Sequence, residues 1–276
     1  MNTSNRYNII GYGVCGANER YIKATLDQFK ALCDKVVIVC NNSDQTTKDL
    51  ILSYGFEVRE DNRLWGENQH RIKEDLVKSL EVYKPDWLVC LDMDEVFFNM
   101  DRKKFESIAD QCNSMYVYIV NLWNDGWKRE WSFWNIRAWK WNGVTKFVNR
   151  PLHCGLAPEW AYHYGSYVPI LLMHYGLKDK DKRLAKVERY KTFDPDAKYR
   201  SRAYYDALAT DTCDALDIDF IESAIMFEVG TIKKKTPALD VETKYYIVEK
   251  DGKQTDIPER LLEGHLKRGY KVIHTI

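Results

Sequence analysis

Apolar residues follow two different periods along the first hundred residues of the chain. Val36–Cys40 and Trp87–Leu91 are continuous apolar runs, as expected of parallel strands that are covered on both faces. Between these runs, apolar residues recur every three or four positions, which predicts amphipathic helices. The predicted elements in chain order are a strand at 7–10, a helix from 18 to 33, a strand at 36–40, a helix from 45 to 52, a strand at 56–58, a helix ending before Pro85 and a strand at 87–91.

This alternation predicts an α/β fold, a Rossmann-like and mostly parallel open sheet with helices on both faces. In such sheets, ligands bind beyond the carboxyl ends of the strands. Two polar clusters, Asn41–Asp44 and Asp92–Glu95, directly follow predicted strands. We therefore expect both clusters to lie at the binding edge of the sheet.

The pattern changes after about residue 112. An apolar run at 115–122 predicts another strand, and five of the nine Trp residues follow between 123 and 139. A basic helix with Leu184, Val187 and Tyr190 on one face comes later. We predict a main domain over 1–225 and a small α+β module over 226–276. The predicted elements of that module are a hairpin at Asp251-Gly252, a helix near Pro258–Arg268 and a terminal strand.

Composition narrows the classes of partner. Lys and Arg together number 41, as do Asp and Glu, so the formal net charge is zero. The absence of a global basic field disfavours nucleic acid and anionic membranes as partners. The sequence contains no run of about 18 apolar residues, so we expect no transmembrane helix. The seven Cys residues include no CxxC pair, and several lie in apolar runs, which favours a reduced, cytoplasmic protein and leaves oligomerisation open.

The acidic sequence Asp92-Met93-Asp94 is the strongest chemical signal in the chain. Two carboxylates one residue apart, just beyond a buried strand, can converge on one hard cation and a phosphate-bearing ligand. A solvated turn is one alternative. A second is the nucleophile motif of haloacid-dehalogenase-type phosphatases, with Asp92 as nucleophile. That motif normally follows the first strand, whereas several strand–helix units precede it here.

A formal GxGxxG motif runs from Gly11 to Gly16, between a strand and a helix. A dinucleotide site would also need an acidic residue at the end of the second strand. Asn41 and Asn42 occupy that place. The sequence therefore disfavours a dinucleotide cofactor.

Several segments in order resemble family 2 glycosyltransferases of the GT-A fold, in the branch of small bacterial and viral enzymes with an LDxDE motif. The resemblance covers about residues 7–200. The matching segments are NERYI at 18–22, VVIVCNNSDQT at 36–46, CLDMDE at 90–95, MHYG at 173–176 and RLAKVERYKTFDP at 183–195.

The resemblance implies a hexosyltransferase-type enzyme that uses a nucleotide-diphosphate-sugar donor and Mn²⁺ or Mg²⁺. Asp94 matches the main metal-binding acid, Asp92 an acid that reaches the ribose or the ion, and His174 a third metal ligand. A UDP-sugar is favoured, because an Asn carbonyl can accept a hydrogen bond from a uracil N–H. The nucleotide-binding residues so expected are Asn18, Asn41, Asn42, Asp44, Arg71, Asp92, Lys182 and Arg183.

An inverting transfer to an acceptor hydroxyl also needs a general base. Asp125, after the next strand, is the preferred candidate, and Glu159 is the alternative. Trp123 and Trp127 are expected to bind a carbohydrate or other hydroxyl acceptor, since indole faces stack on sugar rings. A third hypothesis is a non-catalytic carbohydrate-binding protein that uses the same Trp residues.

Overall fold

The computed structural model describes residues 6–17, 19–150, 152–198, 200–235, 245–250, 253–258, 266 and 271–275. The chain divides into two compact units, Met1–Val229 and Gly230–Ile276. The strands are β1 (Ile9–Cys15), β2 (Lys35–Cys40), β3 (Glu57–Glu60), β4 (Trp87–Cys90), β5 (Glu95–Phe97), β6 (Ser114–Trp123), β7 (Gly126–Trp127), β8 (Phe133–Lys140), β9 (Gly165–His174), β10 (Tyr245–Lys250), β11 (Lys253–Pro258) and β12 (Lys271–Thr275). The helices are α1 (Ile22–Leu32), α2 (Gln45–Ser53), α3 (Trp65–Ser79), α4 (Arg102–Ala109), α5 (Glu159–His163), α6 (Lys180–Phe193), α7 (Arg202–Ala207) and α8 (Ile218–Lys235).

The first unit is built on one sheet with the strand order β3-β2-β1-β4-β8-β6-β9-β5, and β7 pairs with β6. Strands β1 to β4 pair in parallel with one another, because a helix connects each strand to the next. β8 pairs antiparallel with β4 and β6, while β6 and β9 are parallel. Ile9 and Ile10 pack into cores on opposite faces, with α1 on one side and α3 on the other. The predicted α/β sheet with helices on both faces is therefore confirmed.

The first strand is longer than its sequence pattern predicts. We expected it to end at Ile10, before a glycine turn, yet β1 continues to Cys15 because β2 and β4 pair with it on both sides. Its two glycines lie where other elements approach closely. A Cβ on Gly11 would lie 2.7 Å from Phe29 Cδ1, and one on Gly13 would lie 2.6 Å from the Leu91 carbonyl oxygen.

The sheet curls so that its last strand returns towards β4. Three other strands separate β4 from β5 in the strand order, a distance of about 19 Å in a flat sheet. Only four residues connect them, and a 3.0 Å hydrogen bond from Glu95 N to Asp92 O closes that turn. β5 also pairs with β9, where Glu95 lies opposite His174. The curl therefore brings the end of β9 to the turn that follows β4.

The second unit contains an antiparallel sheet in the order β11-β10-β12. Its β10–β11 pair runs from Tyr245 opposite Pro258 to Lys250 opposite Lys253, and β12 is the predicted terminal strand. The Asp251-Gly252 turn lies outside the described residues, as does most of the helix predicted near 258–268. Treatment of 226–276 as a separate module stays a prediction.

Among the residues with a described structure, no helix is long and apolar enough to cross a bilayer.

We expect Gly13→Ala to destabilise the fold by about 1–3 kcal/mol, the usual cost of overpacking a core. The new methyl group would meet the Leu91 carbonyl and the Met93 side chain. Gly16→Ala is the matched control, because its nearest contact is the movable Glu19 carboxylate at 3.2 Å. Urea unfolding measures both variants. Equal midpoints for Gly13→Ala and wild type would contradict the close approach of β1 to the turn.

Candidate functional site

The turn between β4 and β5 places two acids at the carboxyl edge of the sheet. Met93 is 1% exposed and packs into the core, so Asp92 and Asp94 on either side of it face a cavity of about 620 Å³. Leu91 N still donates to Tyr12 O at 3.3 Å, which keeps the start of the turn against β1. The position predicted for these acids is therefore the one observed.

A buried ion pair fixes the end of this turn. Glu95 is 1% exposed, and Arg137 of β8 donates to it from Nε at 2.7 Å and from Nη2 at 2.5 Å. Glu95 Oε2 also accepts a hydrogen bond from Asp92 N at 3.1 Å. Two-point pairing between guanidinium and carboxylate restricts their relative orientation. The backbone that carries Asp92 is thereby tied to β8.

His174, at the end of β9, approaches Asp94. Its Nε2 lies 3.5 Å from Asp94 Oδ1, and its Nδ1 lies 2.5 Å from Asn121 Oδ1. Asn121 Nδ2 donates to Trp131 O at 2.6 Å, which identifies Oδ1 as the acceptor and hence Nδ1 as the protonated nitrogen. Nε2 of the neutral ring then carries a lone pair that can bind a metal ion.

The space around Asp94 and His174 is suited to a small ligand. Asp94 Oδ1 is buried and has no hydrogen-bond partner among the residues that the structure describes. A Cβ on Gly176 would lie 2.7 Å from His174 Nε2 and would also meet Asp94 Oδ2. Within the described chain, no group of three or more His, Cys, Asp or Glu side chains could hold a metal ion. Asp94 and His174 could therefore supply two ligands, with the others coming from a bound molecule or water.

The two acids of the turn differ in their protonation. Burial and then the charge of Glu95 raise the pKa of Asp92 to about 6. Burial also acts to raise the pKa of Asp94, but His174 outweighs it and the pKa falls to about 2. For His174, burial lowers the pKa and Asp94 raises it, with a net increase. Asp94 is thus the carboxylate that stays ionised over the wider pH range.

Three of the remaining expected nucleotide-binding residues line a cavity. Asn41 and Asn42 line the cavity, and Asn41 Nδ2 donates to the carbonyls of Asp61 and Arg63. Lys182 lines a second cavity of about 300 Å³, which also includes Asp94. Asn18 lies outside the described residues.

Three other expected nucleotide-binding residues do not reach the cavity. Asp44 caps α2 by accepting from Thr47 N at 2.8 Å and Thr47 Oγ1 at 2.9 Å. Arg71 is exposed on α3 and lines neither cavity. Arg183 is 0% exposed and donates to the carbonyls of Leu177, Lys178 and Leu208. The structure contradicts a phosphate-binding role for Arg183, because its donors are directed at the backbone inside the fold.

The expected catalytic and acceptor-binding residues also lie away from the cavity. Asp125 is exposed in the turn between β6 and β7, and Glu159 begins α5. Trp123 is 0% exposed beneath the Arg183 guanidinium, and Trp127 is 5% exposed; their indole N–H groups donate to the carbonyls of Thr210 and Ala215. The prediction that Trp123 and Trp127 stack on an acceptor was wrong, because both indoles are buried in the fold. Asp125 and Glu159 do not line the cavity, and their catalytic roles stay predictions.

Other residues that the sequence reasoning did not assign face the cavity. Helical spacing was one available signal, since Lys182, Lys186 and Arg189 lie on one stripe of α6 at i, i+4 and i+7. For the remainder, the sequence offered little beyond residue type. The unassigned cavity residues whose side chains could bind a ligand include Glu19, Trp65, Lys73, Asn121, Trp131, Phe133, Asn135, Arg137, His153, Lys186, Arg189, Tyr190, Arg200 and Tyr204.

No family model and no curated protein matches this sequence. Among solved structures, S. aureus TarS is similar over 73% of this chain and 42% of that chain, at 11% identity and a TM-score of 0.43. TarS 1-349 is similar over 85% and 76%, at 9% identity and a TM-score of 0.39. Mannosyl-3-phosphoglycerate synthase from Rubrobacter xylanophilus is similar over 45% and 43%, at 17% identity and a TM-score of 0.32.

This chain spans less than half the length of the first structures it matches. The strand order and the helices on both faces give the chain the Rossmann-like α/β fold that its sequence predicts.

We expect Asp92→Asn to stabilise the protein by about 1–2 kcal/mol at pH 8, because it removes a half-buried charge that the fold disfavours. The pKa of Asp92 is raised to about 6 in the folded state. Ionisation of Asp92 therefore lowers the free energy of unfolding by its full amount above pH 6 and has no effect below about pH 4. The gain in Tm should appear as pH rises through this window. Asp125→Asn, on the exposed turn, is the control, and lower stability of Asp92→Asn at pH 8 would refute the assignment.

Proposed function

We propose that this protein transfers a sugar from a nucleotide-diphosphate-sugar donor to an acceptor hydroxyl. The observation that carries the proposal is the pairing of Asp94 with His174 Nε2 at 3.5 Å on the wall of a 620 Å³ cavity. Lys186 lines the same cavity. A carboxylate, an imidazole and a nearby ammonium group together suit a diphosphate bound with a divalent ion.

Mn²⁺ or Mg²⁺ is proposed as the cofactor, held by Asp94 and His174. The partnerless Asp94 Oδ1 and the space left by Gly176 support this fit. Such ions commonly take one or two protein ligands and complete their shell with substrate phosphates and water. When bound, the ion neutralises charge on the leaving diphosphate. Asp92 is proposed to contact the ion or the donor ribose.

Lys186 is the cation best placed for the diphosphate. It is half-buried on α6, lines both cavities and lowers the pKa of Asp94 and of Glu19 by its charge, although burial is the larger influence on each and raises both values. Its ammonium group therefore lies within electrostatic reach of the candidate metal ligand. Lys182 reaches the same region from the smaller cavity.

The nucleobase is proposed to bind near Asn41, Asn42 and Trp65, at the β2 and α3 side of the cavity. Both hydrogens of the Asn41 amide have carbonyl partners, Asp61 O and Arg63 O. The Asn41 carbonyl oxygen accepts from Asn42 Nδ2 at 3.5 Å and has a second lone pair that can accept from a base N–H. This arrangement favours uracil, whose N–H is a donor, and a UDP-sugar.

The acceptor is proposed to bind beside Trp131 and Phe133, where Asn121 and Asn135 also line the cavity. A carbohydrate suits this mixture of aromatic faces and amides. The acceptor oxygen loses its proton and forms a bond to the sugar carbon, while the bond from that carbon to the diphosphate breaks and its electron pair leaves with the diphosphate. Inversion, and transfer of a hexose, are also proposed. The base must come from the cavity wall, since neither Asp125 nor Glu159 lines it.

A thermal-shift screen of nucleoside diphosphates, with and without Mn²⁺, tests this function. We expect at least one nucleotide, UDP first, to raise the Tm only when the ion is present, because ligands that bind the folded state stabilise it. Asp94→Asn should abolish the Mn²⁺-dependent part of the shift. Asp125→Asn makes the same chemical change outside the cavity and should retain the full shift.

Two results would contradict the proposal. One is the absence of any nucleotide-dependent shift in folded wild-type protein. The other is an unchanged Mn²⁺-dependent shift in Asp94→Asn, which would place the ion elsewhere.

A further inference from the structure

The α6–α7 side of the main cavity carries more positive charge than a donor diphosphate alone requires. Lys186, Arg189 and Arg200 all line it. In the described parts of the chain, none of the three forms an ion pair with a carboxylate. Unpaired cations that line a concave surface attract anionic ligands. Lys186 has a place beside Asp94, but Arg189 and Arg200 have no role in the function proposed above.

Arg200 is held in a defined position. Its guanidinium lies 4.9 Å from the centroid of the Tyr204 ring, which stacks in turn on Trp131 at 4.6 Å. Its backbone N–H donates to Asp194 at 3.2 Å, and Asp194 is 2% exposed. A guanidinium stacked on an aromatic face keeps its N–H donors at its edges, where they can bind an oxyanion.

His153 lies on the same wall. Tyr205 Oη donates to Asp194 Oδ2 at 2.6 Å, so its oxygen can accept from His153 Nε2 at 3.2 Å. With the proton on Nε2, Nδ1 of the neutral ring is an acceptor, and it becomes a donor to an anionic ligand when the ring is protonated. Burial and then the charges of Arg200 and Arg150 lower the pKa of His153 to about 4. A bound anion would oppose these cations and raise that pKa.

The surroundings of His153 distinguish this wall from the metal-binding end. The main electrostatic influences on His153 come from Arg200, Arg150, Asp194 and Lys186, while those on Asp94 come from His174 and Lys186. Lys186 alone is common to both sets. Lys186 therefore lies within electrostatic reach of both Asp94 and His153.

We propose that Arg189, Arg200 and His153 bind an anionic group of the acceptor, such as a phosphate, beside the donor's diphosphate. Its assignment to the acceptor rests on the proposed sugar transfer. The anionic group fits next to the aromatic wall, because Tyr204 contacts both Arg200 and Trp131. An acceptor bound there would place its anionic group on Arg200 and a neighbouring sugar or polyol against Trp131.

A titration of the full chain with inorganic phosphate tests the anion site, followed by NMR of the His ring signals at constant ionic strength. We expect the His153 signals to shift saturably and the pKa of His153 to rise, while exposed His163 is unaffected. Arg200→Gln should weaken phosphate binding by about tenfold or more, the loss expected for one charge-assisted hydrogen bond. Lys191→Gln removes an equal charge outside the cavity, where Lys191 pairs with Glu188, and should leave binding unchanged.

The same titration with Mg²⁺ and a saturating nucleoside diphosphate separates the two possible sources of the anion. Continued binding of phosphate would support an acceptor site. Displacement of phosphate by the nucleotide would overturn the proposal, because Arg189 and Arg200 would then belong to the donor site. No shift of His153, or equal effects of Arg200→Gln and Lys191→Gln, would overturn it as well. If phosphate binds but no nucleotide does, the anion site stands and the proposed function fails.

Discussion

The buried ion pair between Glu95 and Arg137 is the interaction on which the candidate site depends. Their side chains are 2% and 5% exposed, so both charges have left water and each depends on the other. Removal of one partner from such a pair typically costs about 3–5 kcal/mol. Glu95 also accepts from Asp92 N, which couples the pair to the acidic turn. Arg137 lies on β8. The ion pair therefore connects the turn after β4 to a second strand, β8.

The curl of the sheet supplies the second half of the site. β5 pairs with β9 only because the chain turns back directly after β4, and this pairing sets Glu95 opposite His174. The parallel β6–β9 pair sets Asn121 opposite His174, where it holds the ring through Nδ1. The acid of the β4–β5 turn, the imidazole of β9 and the amide of β6 thus come from parts of the chain that are separate in sequence. Their convergence is a property of the topology rather than of any local motif.

The sequence predicted the parts of this site that follow directly from strand ends. Asp92, Asp94 and Asn41 come directly after apolar runs, and carboxyl ends of parallel strands share one edge. His174 was placed by family resemblance, and the structure brings it to Asp94. The same reasoning failed for Trp123, because the direction of its side chain depends on packing against Arg183. Arg183 precedes Val187 by four residues, so the two share the buried face of α6. Lys182 and Lys186 lie on a different face of the same helix.

Paramagnetic broadening of the His ring signals by Mn²⁺ tests the central claim most directly, that Asp94 and His174 form the metal end of a nucleotide site. We predict that Mn²⁺ with a nucleoside diphosphate broadens the His174 signals strongly. His163, exposed at the end of α5, should stay sharp. Broadening of His174 should be much weaker with Mn²⁺ alone, because the described residues supply too few ligands to hold the ion. An unbroadened His174 in the presence of both Mn²⁺ and a nucleotide that binds would contradict the account.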